Sequence, residues 1–368
     1  MKDLTTRQSC LMIFIITCAT KLLVLPSLII SRSGNAVWLA ILIMTAIDMI
    51  FFLLIFAITK AFPNFTMREF FEKGCGKVIA KILFFVLGLL FAMKVAMLIR
   101  ECYEFYTETA YVDLNWFTFL FPVGLMLGYV ATKPLNAMGR SLEIFIYFIV
   151  MAIIMAFLFS VSSVDFFAFL PFVKNGMKSV LSSCLDYAFW FGDFLLLMMI
   201  MGKIKIEKNF FGKVTLSYLS AMSIVVALAF IHYSLFGAIA DTYKTTIVDV
   251  TEYIPRLSTS GRFTWVIVFL WPIAEFVAMG FYVHFATNCF TYCFSVSTPN
   301  EKFVSASVVA LACSLILMAW FSQILMTSAI ASVLKYFVLA IQYFVPMFLP
   351  IMLVNVKRRV LNEKFVEK

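Results

Sequence analysis

Four charged side chains stand inside long apolar stretches of the sequence, where a charge needs a partner. They are Lys21, Lys94, Asp193 and Glu275. An isolated charge at the centre of a bilayer costs about 2.5–3.5 kcal/mol on insertion scales, so each is expected to pair, face a cavity or bind a ligand. Lys94 has the alternative of reaching the headgroup region along its flexible stem. Asp48 is a fifth such residue, and we interpret it as the partner of a backbone donor or of Lys21.

The first of these charges lies in the stretch ITCATKLLVLPS, residues 15–26, which interrupts its own apolar character. Pro26 has no amide hydrogen and clashes with the carbonyl of Leu22, so a helix is expected to open here. The hydroxyls of Thr17 and Thr20 are expected to satisfy the backbone groups that this opening frees. Amides at the start of the helix beyond the opening would attract a carboxylate, as helix N-termini do.

A second interruption is expected in SSCLDYAFWFGDFLLLMM, residues 182–199. Gly192 and Asp193 stand in its middle, where a packed helix would carry larger apolar residues. Phe189 and Trp190 just before them suit the gate of a small-molecule pocket, or are ordinary apolar lining. Taken alone, either interruption is equally compatible with a simple kink or with close helix packing.

The surroundings of these stretches follow from the composition of the 368-residue chain. It is 63% hydrophobic and 13% charged, with a mean hydropathy of +1.01, which indicates a membrane protein that crosses several times. Short connections make residues 1–368 a single transmembrane domain, and the first apolar run is interpreted as a span rather than a cleavable signal peptide. Ten spans are expected, near residues 9–30, 36–59, 78–99, 115–131, 140–161, 180–201, 213–239, 263–293, 302–325 and 332–355.

Lysine and arginine concentrate in alternate connections between these spans. They follow the second, fourth, sixth and eighth spans and flank both termini, whereas the other connections are richer in acids such as Glu101 and Asp249. By the positive-inside rule both termini are cytoplasmic, and topology accounts for the net charge of +9 without a nucleic-acid function. MREFFEKGCGKVIAK is expected to form an interfacial helix before the third span. It and KIKIEKNFFGK are basic segments that contact anionic lipid or a cytoplasmic partner domain.

Ten spans divide into two sets of five, and an odd number makes the second set enter the membrane from the opposite side. If the halves share a fold, they form an inverted repeat. The first repeat covers about 9–161, and the second covers about 180–325 plus 332–355. Interruptions at corresponding places in spans one and six then point to a binding site at the membrane midplane.

The order and spacing of several landmarks resemble one known family. LTTRQ before an apolar run, then LLVLP, SGNAVWLA and KAFPNFTMREFFEKGCGKVIAK, is similar to the integral-membrane B subunits of the nutrient germinant receptors of bacterial endospores. FLPFVKNGMKSVL, FWFGDF and GRFTWVIVFLW agree in the second half. The landmarks cover roughly two thirds of the chain. They are Gln8, Pro26, Gly34, Trp38, Pro63, Gly76, Pro171, Gly176, Gly192, Arg262 and Trp271.

The resemblance implies a ten-helix inverted-repeat fold like that of the leucine transporter, within the amino acid, polyamine and organocation superfamily. In that fold spans one, three, six and eight line the central cavity, which would bring Lys21, Lys94, Asp193 and Glu275 face to face. The chain departs from the family in lacking a glycine near Cys18 and in carrying Asp193 where a glutamate is usual. The candidate ligand-binding residues are Thr17, Cys18, Thr20, Lys21, Lys94, Phe189, Trp190, Gly192, Asp193 and Glu275.

The resemblance also implies partners and a location. An A subunit and a lipoprotein C subunit are expected beside this chain in the spore inner membrane, with amino acids among the germinants. The sequence has no glycine-rich phosphate loop before a helix, no metal-binding histidine pair and no nucleophile with a placed base, so no enzyme and no cofactor are expected. The interpretation is a permease-like germinant-receptor subunit that senses a small solute, with or without conducting it. A free-standing proton- or cation-coupled amino-acid transporter and a scaffold with a vestigial pocket are the alternatives.

Overall fold

Fifteen α-helices dominate the part of the chain that the computed structural model describes, namely residues 4–110, 113–160, 164–170, 172–252, 263–294, 298–320 and 329–366. Within these residues the β pairing is limited to one isolated backbone bridge between Leu4 and Ile204. The helices are α1 (Thr6–Lys21), α2 (Leu25–Ser33), α3 (Val37–Ala61), α4 (Met67–Cys75), α5 (Lys77–Thr109), α6 (Trp116–Ala131), α7 (Leu135–Ser160), α8 (Gly176–Tyr187), α9 (Phe194–Ile200), α10 (Phe210–Phe236), α11 (Thr246–Glu252), α12 (Phe263–Phe294), α13 (Pro299–Trp320), α14 (Ala329–Met347) and α15 (Leu349–Val366).

Seven stretches of the described residues are long and apolar enough to cross a membrane. They confirm the predicted all-α membrane class, and the protein is a multi-pass membrane protein. α6 is apolar but shorter, with 16 residues. The seven stretches are Leu25–Ala61, Lys77–Thr109, Leu135–Leu158, Gly176–Ile200, Phe210–Ile239, Trp265–Phe294 and Val338–Arg359.

The tenth predicted span, 332–355, is divided between two helices. α14 ends at Met347 and α15 begins at Leu349. Pro350 lacks an amide hydrogen, so it fits the first turn of a helix and not its interior. The sequence stays apolar across this break, so hydropathy alone does not reveal that two helices meet here. The predicted span ends 161 and 321–325 and the landmarks Pro171 and Arg262 lie outside the described residues.

Both predicted interruptions are present. The first separates α1, which ends at Lys21, from α2, which begins at Leu25. Pro26 lies just beyond it, in the first turn of α2, where a missing amide hydrogen is tolerated. The second separates α8 from α9, with a 3-10 turn Ala188–Trp190 and an extended Phe191 between them.

The backbone groups at the first interruption are satisfied in a way that differs from the expectation. The amide of Thr246, which begins α11, donates to the carbonyl of Leu23 over 2.7 Å. Thr20 donates to the carbonyl of Ile16 within α1 over 2.9 Å, and Thr17 donates to a carboxylate of the second interruption. The expected capping by Thr17 and Thr20 is therefore wrong. Thr20 has a nearer carbonyl one turn back, and α11 reaches Leu23 from another part of the chain.

The predicted interfacial helix is α4. Thr66 caps it, because its hydroxyl accepts from the amide of Glu69 over 3.3 Å while the Glu69 carboxylate accepts from the amide of Thr66 over 2.8 Å. Phe70 and Phe71 are fully buried. Gly76, with φ +88, ends α4 and leads directly into α5. α15 packs against the same short helix.

A close approach between two backbones follows the end of α9. Gly202 has φ +76, and a Cβ built there would lie 2.5 Å from the carbonyl oxygen of Phe65. The amide of Leu4 donates to the carbonyl of Lys203 over 3.1 Å in the same region. The loop after α9, the loop before α4 and the N-terminal segment are thus held together at one face of the molecule.

Gly202→Ala is expected to lower the melting temperature of the purified protein in detergent. A residue other than glycine at this φ costs about 1–3 kcal/mol, and a clash with the Phe65 carbonyl cannot be relieved by a rotamer change. Gly212→Ala is the control, because nothing lies within 4 Å of the added Cβ and a helix favours alanine. Equal melting temperatures of both variants and the parent would contradict the close approach.

Candidate functional site

Lys21 and Asp193 form an ion pair that joins the two interruptions. Their Nζ and Oδ2 atoms are 2.6 Å apart, and both side chains are fully buried. The hydroxyl of Thr17 donates to the same carboxylate oxygen over 2.9 Å, and the Lys21 ammonium lies 5.4 Å from the ring centre of Phe191. Desolvating two charges is costly, so the arrangement depends on each charge keeping its partner at short range.

Asp48 of α3 holds the second interruption in place. Its carboxylate accepts from the amide of Gly192 over 2.9 Å and from that of Asp193 over 3.4 Å. The hydroxyl of Tyr218 in α10 donates to it over 3.1 Å. Gly192 has φ +87, which explains a glycine at this position. The interpretation of Asp48 as the partner of a backbone donor is therefore confirmed.

Lys94 of α5 also contacts the second interruption. Its ammonium donates to the carbonyls of Phe189 and Phe191, each over 2.8 Å. It also lies 5.0 Å from the ring centre of Phe189, and its side chain is buried. The alternative in which Lys94 extends to the headgroup region is wrong. The reason is that the opened turn supplies two carbonyls, which a continuous helix would have kept for itself.

Gln342 of α14 contacts the same segment, and it is not among the residues predicted for the site. Its Nε2 donates to the carbonyl of Ala188 over 2.9 Å. A Cβ on Gly192 would lie 2.7 Å from its side-chain atoms, so glycine is also required here by space. The amide side chain within the apolar run FVLAIQYFV, residues 337–345, was the available signal.

Glu275 of α12 has partners outside the Lys21–Asp193 pair. Its Oε1 accepts from the indole of Trp271, one turn earlier, over 3.2 Å, and the thiol of Cys102 also bonds to it. The structure therefore brings together Lys21, Lys94 and Asp193 but not Glu275. The position of Glu275 within an apolar span predicts a buried carboxylate, but it does not give the neighbour that this carboxylate meets.

Glu101 was placed by the sequence in an outer connection, yet it is only 6% exposed. Its carboxylate accepts from the indole of Trp190 over 2.9 Å. The difference arises because α5 continues to Thr109, beyond the predicted end at residue 99. The seven-residue spacing from Lys94 to Glu101, two helical turns, was the signal that places both on one face.

The remaining candidates line α1 and the second interruption. Cys18 is fully buried, and the ammonium of Lys21 lies 3.3 Å from the hydroxyl of Thr20. Phe189 and Trp190 belong to the 3-10 turn, where their rings pack edge to face at 6.2 Å. All four therefore lie beside the charged cluster rather than on a distant surface.

The cluster balances two cations, Lys21 and Lys94, against two anions, Asp48 and Asp193. Among the buried acceptors without a donor in the described residues, Oδ1 of Asp193 and Oε1 of Gln342 belong to the groups that contact the second interruption. A buried acceptor without a donor is costly, so an N–H group of a ligand would be stabilised here.

Two comparisons with known proteins agree with the resemblance read from the sequence. A family model described as spore germination protein matches residues 3–319. The chain is 24% identical over 262 residues to spore germination protein KB of Bacillus subtilis (strain 168). That alignment covers 70% of this chain and 67% of the relative.

A double-mutant cycle tests the ion pair. Lys21→Met and Asp193→Leu alone are each expected to lower the free energy of unfolding, measured by denaturation in mixed micelles, by about 3–5 kcal/mol, because each leaves one buried charge unpaired. Lys21→Met/Asp193→Leu is expected to recover most of this loss, since no buried charge remains. Thr17→Val keeps the pair and should cost only about 1 kcal/mol for one hydrogen bond. Additive losses in the double variant would show that the two charges do not interact.

Proposed function

The chain belongs to the family of spore germination proteins, and we propose that it is the permease-like membrane subunit of a germinant receptor. It senses a small solute such as an amino acid and so starts germination. The observation that carries this proposal is the buried Lys21–Asp193 pair, which joins two interrupted helices beside acceptors that lack donors. Permease folds bind their substrates where such helices meet at mid-membrane. The family is of a permease type rather than an enzyme class, so no catalytic step is included.

We propose a ten-span inverted repeat like that of the leucine transporter, with repeats at about 9–161 and at about 180–325 plus 332–355. The pairs of helices that pack together support it. Let α1–α2 correspond to α8–α9, α3 to α10, α5 to α12, α6 to α13 and α7 to α14. Exchanging the halves then converts the contact of α1 with α10 into that of α8 with α3. The same exchange converts the contact of α12 with α7 into that of α5 with α14, and the contact of α13 with α5 into that of α6 with α12. Each of these pairs of helices is in contact.

Two short helices are also related by this exchange of the two halves. α4 comes after α3 and packs against α9, whereas α11 comes after α10 and packs against α2. The approach of Gly202 to Phe65 on one side resembles the hydrogen bond from Thr246 to Leu23 on the other. Each interrupted helix thus has one short helix in contact with its second part, which can follow or block its movement.

The site carries its own cations, which favours sensing over cation-driven uptake. Unwound carbonyls of permease helices coordinate Na⁺ or H⁺, but here the Lys94 ammonium occupies those of Phe189 and Phe191. Lys21 likewise occupies the carboxylate of Asp193. The ammonium of an amino acid competes with Lys21 for Asp193, and the released Lys21 pairs with the carboxylate of the amino acid. Lys21 and Asp193 then each keep one oppositely charged partner.

We propose the A and C subunits of a germinant receptor as partners, together with membrane lipid. The proposed location is the spore inner membrane with both termini cytoplasmic. The alternation of basic and acidic connections supports this orientation. The bond between Leu4 and Lys203 places the N-terminal segment on the same face as the basic loop after α9. α15 packs against α4, which adjoins that loop.

Germination assays separate folding from sensing. In spores that carry Lys21→Met, the midpoint of the amino-acid response is expected to rise roughly tenfold to a hundredfold, as the loss of one charge-assisted hydrogen bond predicts. Lys21→Met/Asp193→Leu is expected to reach the membrane at parental abundance and yet give no response. Lys335→Met removes a partly buried partner of Asp186 and is the control, with an unchanged midpoint. A normal response of the double variant would reduce the Lys21–Asp193 pair to packing.

Uptake assays distinguish the free-standing transporter. Vesicles that contain this chain alone are expected to accumulate no labelled amino acid above the level of empty vesicles, with or without an imposed proton or sodium gradient. Gradient-dependent accumulation that Lys21→Met abolishes would favour the transporter.

The orientation is tested by cysteine labelling. Lys208 and Asp241 are both exposed, on the predicted inner and outer faces. An impermeant maleimide added outside intact cells is expected to label Asp241→Cys above the background of the native cysteines and to spare Lys208→Cys. The opposite pattern would place the termini outside.

A further inference from the structure

A polar cavity of about 530 Å³ lies between α4, α5, α9 and α12. It is distinct from the central cluster and lies on the face that carries the loop after α9. Four cations line it, Arg68, Lys77, Lys81 and Lys203, and no acidic side chain in the described residues does so. An uneven charge of this kind is unusual for a cavity that has nothing to bind.

Among the four cations that line the cavity, Arg68 forms an ion pair with a carboxylate of the described residues. Its Nε lies 3.1 Å from the carboxylate of Glu72, which also accepts from the hydroxyl of Tyr292 over 2.6 Å. The Tyr292 hydrogen bond, the Arg68 guanidinium and, more weakly, the Lys77 ammonium hold the pKa of Glu72 below its usual value, so this one carboxylate is shared between Arg68 and Lys77. Lys77 and Lys81 form no ion pair with any carboxylate in the described residues.

Lys203 is the third lysine without a carboxylate partner there. Three ammonium groups around one cavity repel one another unless an anion lies between them. We propose that this cavity binds a phosphate group. A phosphate offers more charge and more acceptor oxygens than a carboxylate, which suits three lysine ammonium groups together.

The same chemistry comes from two sources, free phosphate and the headgroup of an anionic phospholipid. Either ligand would act on α9. Lys203 follows the end of α9 closely, and the other end of α9 begins directly after Asp193. Lys77 and Lys81 lie in the first two turns of α5. An anion held by all three lysines fixes α9 against α5 and so stabilises the closed form of the second interruption.

The test uses the purified full-length chain with inorganic phosphate as the probe. In detergent, sodium phosphate is expected to raise the melting temperature more than sodium chloride of equal ionic strength, with a saturable midpoint. Lys81→Gln/Lys203→Gln should raise that midpoint at least roughly tenfold, because two charge-assisted contacts are lost. Lys205→Gln/Lys208→Gln removes the same charge from the same face outside the cavity, and it should keep the parental midpoint.

A second arm identifies the source. In phosphate-free nanodiscs, the melting temperature is compared between phosphatidylglycerol and phosphatidylcholine for the parent and both double variants. Stabilisation by phosphatidylglycerol that Lys81→Gln/Lys203→Gln abolishes assigns the site to a lipid headgroup. Stabilisation by added phosphate in phosphatidylcholine discs assigns it to the free anion. Equal behaviour of the two double variants, or no stabilisation by either probe, would overturn the proposal.

Discussion

The ion pair between Lys21 and Asp193 fixes how the two interrupted helices meet. Both charges are out of reach of water, so separating them would leave each one buried and unpaired. Asp48 and Lys94 secure the same segment from two sides, because one accepts from its amides and the other donates to its carbonyls. The opened turn of the second interruption is thus held almost entirely by charged side chains from other helices. Its conformation depends on those charges staying in place.

A closed and charge-balanced site limits what can act on it. A ligand with a single charge would leave one internal charge unpaired, whereas a zwitterion replaces both partners of the Lys21–Asp193 pair. The free energy of opening is then the difference between the contacts of the internal ion pair and the contacts made with the ligand. A modest difference is enough to shift a conformational equilibrium. α4 contacts α9 and α11 contacts α2, so a movement of either interrupted helix is transmitted to a short helix beside it.

The positions of the interruptions could be predicted, because the residue types found there do not suit a continuous helix. Pro26 and Gly192 have no good place in the middle of a packed helix, and Asp193 has none in lipid without a partner. Contacts between helices could not be predicted in the same way. Glu275 is buried as expected but bonds to Trp271 of its own helix, and Thr246 reaches Leu23 from a segment far along the chain.

The most direct measurement of the central claim is a solid-state NMR dipolar coupling between lysine Nζ and the aspartate carboxyl carbon. The full-length chain, labelled with ¹⁵N at lysine Nζ and ¹³C at aspartate Cγ, is reconstituted in bilayers and compared with Lys21→Met. The Lys335–Asp186 pair contributes equally to both samples and is the internal reference. The account predicts a strong coupling in the parent that is lost in Lys21→Met, as a 2.6 Å contact between Nζ and Oδ2 requires. The same coupling strength in both samples would contradict it.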